Sequence, residues 1–409
     1  MNTEQSKDEI IKAEHHGRIA RLQHKMEIAG IDLYLVTHNL DIYYLTGSMQ
    51  TGYVLVPKCG EAVYFVKRSY PRAQKESIIR TAPLGSFRQL GETIRSYYEA
   101  LFQGEGSVVI ATEFDVLPVQ QYERLKAVIP GTSWTDGSTL FRELRMLKSA
   151  YELDRIRTAA SAAHQVLDAA ADYIRPGMTE LELIAYIERE FRLKGHVGLI
   201  RMHGYNQELV TGMVASGSAA AEPSYFDGPA GGLGLTPASP QGSSRKPIEV
   251  NEPVLVDIGC CIDGYVIDQT RTLVMGQLEE ELQRAYDASE AILRATEKRL
   301  KPGTVCESLY VDALAMAESF GLQDHFMGYG EDQVKFLGHG IGMEIDEWPV
   351  LARGFKQPLQ EGMVIAIEPK FTFPGRGVVG IENTYLITAD GYETLTTAEE
   401  GLRIISSYA

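Results

Sequence analysis

Two hydrophobic rhythms divide the chain. Between residues 14 and 29 apolar side chains return at helical spacing and stop at Gly30, which predicts a helix. Short apolar runs follow at Leu33–Val36, 54–56, 62–66 and 108–111, and residues 117–128 return to helical spacing. Strands alternating with helices predict a sheet layered with helices. This stretch offers no chemical motif, and His38, Asn39 and Asp41 read as surface loop residues. From 151 to 174 a long helix is predicted, because Ile156, Ala159, Ala163, Val166, Leu167 and Ala170 fall on one face. The domain boundary is placed just before it, giving domains at 1–148 and 149–409.

Beyond the boundary the pattern repeats. Pro176-Gly177 ends one helix, and Thr179-x-x-Glu182 has the form of a capping box opening the next. Pro302-Gly303 and Thr304-x-x-Glu307 have the same form. Strand-like segments follow each helix pair and carry acidic residues in matching order, Asp257 and Asp268 first, then Glu368 and Glu382. The repetition predicts two α/β halves related by a pseudo-twofold axis, with a carboxylate pair from each meeting at the centre.

The first pair lies in a predicted hairpin. Residues 254–259 form an apolar strand, Asp263-Gly264 is a turn dipeptide, and residues 265–272 return. A two-residue turn pairs Ile262 with Tyr265, Asp257 with Thr270, and Asp268 with Gly259. Both aspartates then share one face as diagonal neighbours roughly 7–8 Å apart. Carboxylates buried together repel unless cations lie between them, and that spacing suits a metal pair about 3.5–4 Å apart. The second half supplies His339 within Gly338-His339-Gly340-Ile341-Gly342, Glu368 after an apolar run and before Pro369, and Glu382 at the start of another strand. Taken singly, each residue reads as a turn, surface or structural residue. Taken together, one imidazole and four carboxylates form a hard ligand set suited to Mn²⁺, Co²⁺, Fe²⁺ or Zn²⁺.

Composition narrows the partners. The formal charge is −16 and 44% of residues are hydrophobic, so a sizeable core is expected while nucleic acid and anionic membrane are disfavoured. Four cysteines without CxxC spacing point to a reducing compartment. The first 18 residues carry no apolar signal segment, and no run reaches a membrane span. A cytoplasmic location is the expectation.

Through these motifs the sequence resembles the superfamily of creatinase, aminopeptidase P and proline dipeptidase, the pita-bread metallopeptidases of family M24. The carrying residues are Asp257-x10-Asp268 with Gly264-Tyr265 and Thr270-Arg271-Thr272, then Gly338–Gly342 around His339, Ile367-Glu368-Pro369 and Ile381-Glu382-Asn383-Thr384. Residues 39–47 and 144–156 extend the likeness over nearly the whole chain. The resemblance implies an α+β protein with a creatinase-like N-terminal α/β domain, a C-terminal pita-bread domain and a homodimer. It also implies two divalent metal ions. Asp257 would hold one ion, His339 and Glu368 the other, and Asp268 and Glu382 would bridge them. A bridging hydroxide would attack the carbonyl of a peptide C–N bond of Xaa-Pro type, and Glu368 would exchange protons with nucleophile and leaving nitrogen.

Two positions depart from the family pattern. The expected histidine seven residues after His339 is Asp346, and the expected upstream Pro-His is Pro223-Ser224. His203 or His196 could serve as the replacement imidazole, with a structural histidine the alternative reading of each, and Asp346 can donate a hydrogen bond only if burial keeps it protonated. The departures keep open a creatinase-like hydrolase or lyase acting on a small non-peptide amide, and a non-catalytic pita-bread binding protein. The Gly/Pro-rich stretch 228–242 is compatible with a surface insertion or with one wall of the pocket.

Overall fold

The computed structural model describes residues 2–104 and 106–406, with side chains from residue 8 onward. It separates into two compact units, Met1–Arg145 and Met146–Ala409.

In the first unit the strands β1 (Leu33–Val36), β2 (Gly52–Pro57), β3 (Val63–Val66), β4 (Arg80–Pro83), β5 (Val108–Thr112) and β6 (Thr132–Asp136) form one sheet ordered β4-β3-β2-β1-β5-β6. Leu33 and Leu35 join Leu55, Val63, Phe65 and Ile110 on one face, against Leu90, Ile94 and Leu125 of the covering helices. Tyr34, which alternates to the other face, meets Phe141 edge-on. Sheet and helices are thus layered as the apolar pattern predicts.

The reading of residues 38–41 as surface loop is corrected. Residues Asn39–Thr46 are helical, and Asp41 is buried, 3.2 Å from Arg145 and 3.2 Å from His38 Nδ1. A carboxylate that finds a guanidinium 104 residues away gives no local signal. Nearby, Glu113 accepts from Thr37 and Thr112, and its burial, then the neighbouring Asp41, pushes its pKa to about 7.

The second unit opens with the helix Ala150–Tyr173, whose apolar face packs on a long hairpin of β8 (Pro253–Ile262) and β9 (Tyr265–Met275). With β7 (Gly212–Ser216) and β17 (Arg403–Ile405) these form a sheet ordered β17-β9-β8-β7. A second sheet is ordered β11-β10-β12-β15-β16, built from β10 (Phe336–Gly340), β11 (Glu347–Ala352), β12 (Val364–Ile367), β15 (Asn383–Ile387) and β16 (Tyr392–Thr394). Between β12 and β15 lies the short hairpin of β13 (Lys370–Phe373) and β14 (Gly377–Gly380).

The β8–β9 register is the expected one: Ile262 pairs with Tyr265, Gly259 with Asp268, and Asp257 with Thr270. Asp263 and Gly264 both take positive φ, 50° and 84°, as a tight turn of this hand requires. The two halves also enter their sheets alike. After each Pro-Gly stop the chain makes one antiparallel bridge to a proline upstream of a central strand, Thr179 to Pro247 and Val305 to Pro358.

The capping boxes are not alike. Thr179 and Glu182 form theirs reciprocally, but the helix Cys306–Ser319 starts at Val305 without a side-chain cap. Thr304 Oγ1 instead donates to Arg299 O, and Glu307 accepts from Gly354 N. The amide groups of Cys306 and Glu307 donate to Gln357 O and Phe355 O. Tertiary partners satisfy this helix start, so the local box is not needed.

Candidate metal centre

Thr270 is the pivot of the site. On one side its backbone pairs with Asp257 of β8, and on the other it bridges antiparallel to Glu382 at the head of β15. Its hydroxyl donates to Glu382 Oε2 at 2.7 Å, and Thr384 Oγ1 donates to Asp268 O at 2.8 Å. Backbone register therefore brings the acidic pair of each half to one seam. The second sheet adds His339, paired with Ala366, and Glu368, which follows β12 and is halted by Pro369. Arg271 points the opposite way and donates to the carbonyl of Glu382, fixing that residue from behind.

Asp268, His339 and Glu382 each present a ligand atom, and these atoms all lie within 4.8 Å of one another. His339 Nδ1 faces Gly340 O at 3.2 Å. A carbonyl only accepts, so the proton belongs on Nδ1 and the Nε2 lone pair is free. That Nε2 lies 3.6 Å from Glu368 Oε1. Asp257 is not one of these three, and it is linked to Glu382 by a residue that the apolar pattern did not single out. Lys370, wholly buried, places Nζ 2.7 Å from Glu368 Oε2, 3.1 Å from Asp257 Oδ2 and 3.2 Å from Glu382 Oε2. A lysine two residues after Glu368, in a buried and mostly apolar stretch from Met363 to Phe373, was the available signal.

The electrostatics call for positive charge. Burial, reinforced by Glu382 and Asp257, holds Asp268 well above the ordinary carboxylate range, and desolvation raises Asp257 and pushes Glu368 to about 7. Burial works against the Lys370 ammonium, but Asp257, Glu368 and Glu382 outweigh it and keep it charged. One acceptor is still unanswered. Glu382 Oε1 is buried with no hydrogen-bond partner among the described residues. An orphaned carboxylate oxygen beside an imidazole nitrogen and a second carboxylate fits a divalent cation.

The remaining candidates sit as follows. Asp346 accepts from the backbone N–H groups of His203 and Gly204, at 2.8 and 3.1 Å, so it clamps a loop and is engaged as an acceptor. His203 Nδ1 is 3.2 Å from Glu344 Oε2, which orients the ring. His196 Nδ1 accepts from Cys261 N–H inside the core, and burial lowers its pKa, which makes it a structural residue. Ser224 Oγ accepts from Phe226 N–H in the turn before the Gly/Pro-rich stretch. That stretch is anchored rather than loose. Thr372 of β13 donates to Pro229 O, and a Cβ at Gly231 would come 2.3 Å from Glu222 O.

Residues 154–389 match the model of metallopeptidase family M24, and residues 18–147 match that of the creatinase/prolidase N-terminal domain. The chain belongs to metallopeptidase family M24. A protein named Xaa-Pro dipeptidase from Pyrococcus horikoshii is 30% identical to this M24 chain over 390 residues, 94% of this chain and 98% of the relative. The Xaa-Pro dipeptidase of Lactobacillus helveticus is 30% identical over 72% of each chain. Among solved structures, the prolidase from Pyrococcus horikoshii superposes with a TM-score of 0.78 at 27% identity, covering 94% of this chain and 99% of that one. The Xaa-Pro dipeptidase from Bacillus anthracis gives 0.80 at 26% identity, covering 95% and 99%. The M24 chain is thus a metal-dependent hydrolase with the expected two-part architecture. No helix among its described residues is long and apolar enough to cross a membrane.

Proposed function

We propose that this M24 metallopeptidase cleaves the C–N bond of small peptides, with Xaa-Pro dipeptides as the substrate class that the relatives' names suggest. The observation that carries the metal part of the reading is the convergence of Asp268, His339 and Glu382 around an unpartnered, buried Glu382 Oε1. A divalent ion held there, Mn²⁺, Co²⁺, Zn²⁺ or Fe²⁺ by the hardness of the donors, supplies Lewis acidity toward a carbonyl and acidifies water. The protein's own groups do the rest. Glu368, which neighbours both His339 and Lys370, would pass a proton from the nucleophile to the leaving nitrogen. His203, oriented by Glu344 and carried on the loop that Asp346 clamps, takes the part of the imidazole that position 346 lacks, donating to the substrate.

A second reading rests on one observation. Asp346 is engaged by two backbone amides, so it cannot reproduce a histidine, and a substrate smaller than a dipeptide, such as a non-peptide amide, would make do without that contact. A panel of Xaa-Pro and other dipeptides, assayed with each metal beside Asp268→Ala and His203→Gln, tests both. Metal-dependent cleavage that Asp268→Ala abolishes and His203→Gln lowers ten- to a hundredfold supports the peptidase. Metal binding without cleavage of any dipeptide refutes it in favour of the smaller substrate.

A further inference from the structure

The carboxylate cage already contains a cation of the protein's own. The Lys370 ammonium has three protons and three carboxylate partners, Asp257, Glu368 and Glu382, each from a different strand or strand end. Its stem is buried along its whole length. Lys370 pairs with Gly380 in the β13–β14 hairpin, its carbonyl accepts from Met327 N–H, and a Cβ on Gly380 would come 2.7 Å from Lys370 Cγ. The missing side chain at Gly380 is thus space that the lysine stem fills.

The ligand atoms divide accordingly. Glu382 gives Oε2 to Lys370 and Thr270 and leaves Oε1 unpartnered. Asp268 and His339 converge with Glu382, whereas Asp257 is absent from that group and has the ammonium instead.

We propose that Lys370 is a resident cation occupying the Asp257 side of the cage, so that the centre takes one divalent ion, at Asp268, His339 and Glu382, and not two. This rests on the reading of the site as a metal centre. Lys370 then replaces by a permanent point charge what a second ion would contribute, namely neutralising Asp257 and holding Glu368 and Glu382 in place.

The test is elemental analysis of the full-length protein equilibrated with excess Mn²⁺ and desalted, for the native chain, Lys370→Met and Asp268→Ala. Methionine keeps the buried stem and removes the charge. The expected result is one ion per chain in the native protein, two in Lys370→Met and none in Asp268→Ala, with the second ion bound at least a hundredfold more weakly by the native chain. Two ions in the native protein, or one in both the native protein and Lys370→Met, overturns the role of Lys370 and leaves the metal-centre reading standing. No ion in either overturns the metal-centre reading itself. No ion in the native chain but some in Lys370→Met overturns the single-ion form. Should Lys370→Met fail to fold, electron paramagnetic resonance of the native Mn²⁺ form decides alone: an isolated six-line spectrum supports one ion, and an exchange-coupled spectrum refutes it.

Discussion

Replacing Arg271 by lysine isolates how the acidic seam is held in place. Arg271 is wholly buried on β9, and burial lowers its pKa to about 10, so it is charged at neutral pH. All five of its N–H donors are used, on Glu399 O, Thr270 O, Glu382 O, Ala398 O and Asn383 Oδ1, at 2.8–2.9 Å. A lysine offers three donors from a single point, so at least two buried acceptors are stranded, each costing about 1–3 kcal/mol. The expected loss is about 2–6 kcal/mol, equivalent to roughly 5–20 °C in Tm for a unit of this size. The two tryptophans make the measurement unit-specific, because Trp134 lies in the first unit and Trp348 in the second. Urea unfolding of Trp134→Phe, with and without Arg271→Lys, followed by fluorescence, therefore reports the second unit alone. A loss below about 1 kcal/mol would refute the view that this fork ties the segment at Ala398 and Glu399, and Glu382, to the hairpin.

Three further outcomes follow from other parts of the molecule. The Glu113 carboxyl is raised from 4.5 to about 7, so between those values the folded protein holds a proton that the unfolded chain has released, and stability falls as pH rises through the window. Glu113→Gln should remove that decline, gaining up to about 3 kcal/mol over the native chain at pH 8 and little at pH 4.5, as read from unfolding midpoints against pH. Thr179→Ala should cost about 1 kcal/mol by deleting a real cap, whereas Thr304→Ala should not weaken the start of its helix, which amide exchange in residues 180–183 and 306–309 would distinguish. Mn²⁺ at about a hundred times its Kd should stabilise the protein by about 2.7 kcal/mol, seen as a Tm increase that chelator reverses and Asp268→Ala abolishes.

The sequence by itself determined whatever depends on neighbours along the chain. Period-two and helical spacing placed the strands and helices, and the Asp263-Gly264 turn fixed the β8–β9 register residue for residue, because a two-residue loop leaves no freedom in pairing. The likeness between the halves was legible as an order of Pro-Gly stops and acidic pairs. What decided otherwise lay far away in sequence. The second capping box dissolved because the irregular segment 355–359 supplied the helix start with carbonyls. Asp41 left the surface because Arg145 met it, and Asp346 became a loop clamp because two amides at 203 and 204 reached it. Lys370 shows the limit most clearly. Its type and its apolar setting are written in the chain, but only the tertiary structure shows that Asp257, Glu368 and Glu382 surround it, and an ammonium has the meaning of a cofactor only when its partners are in place.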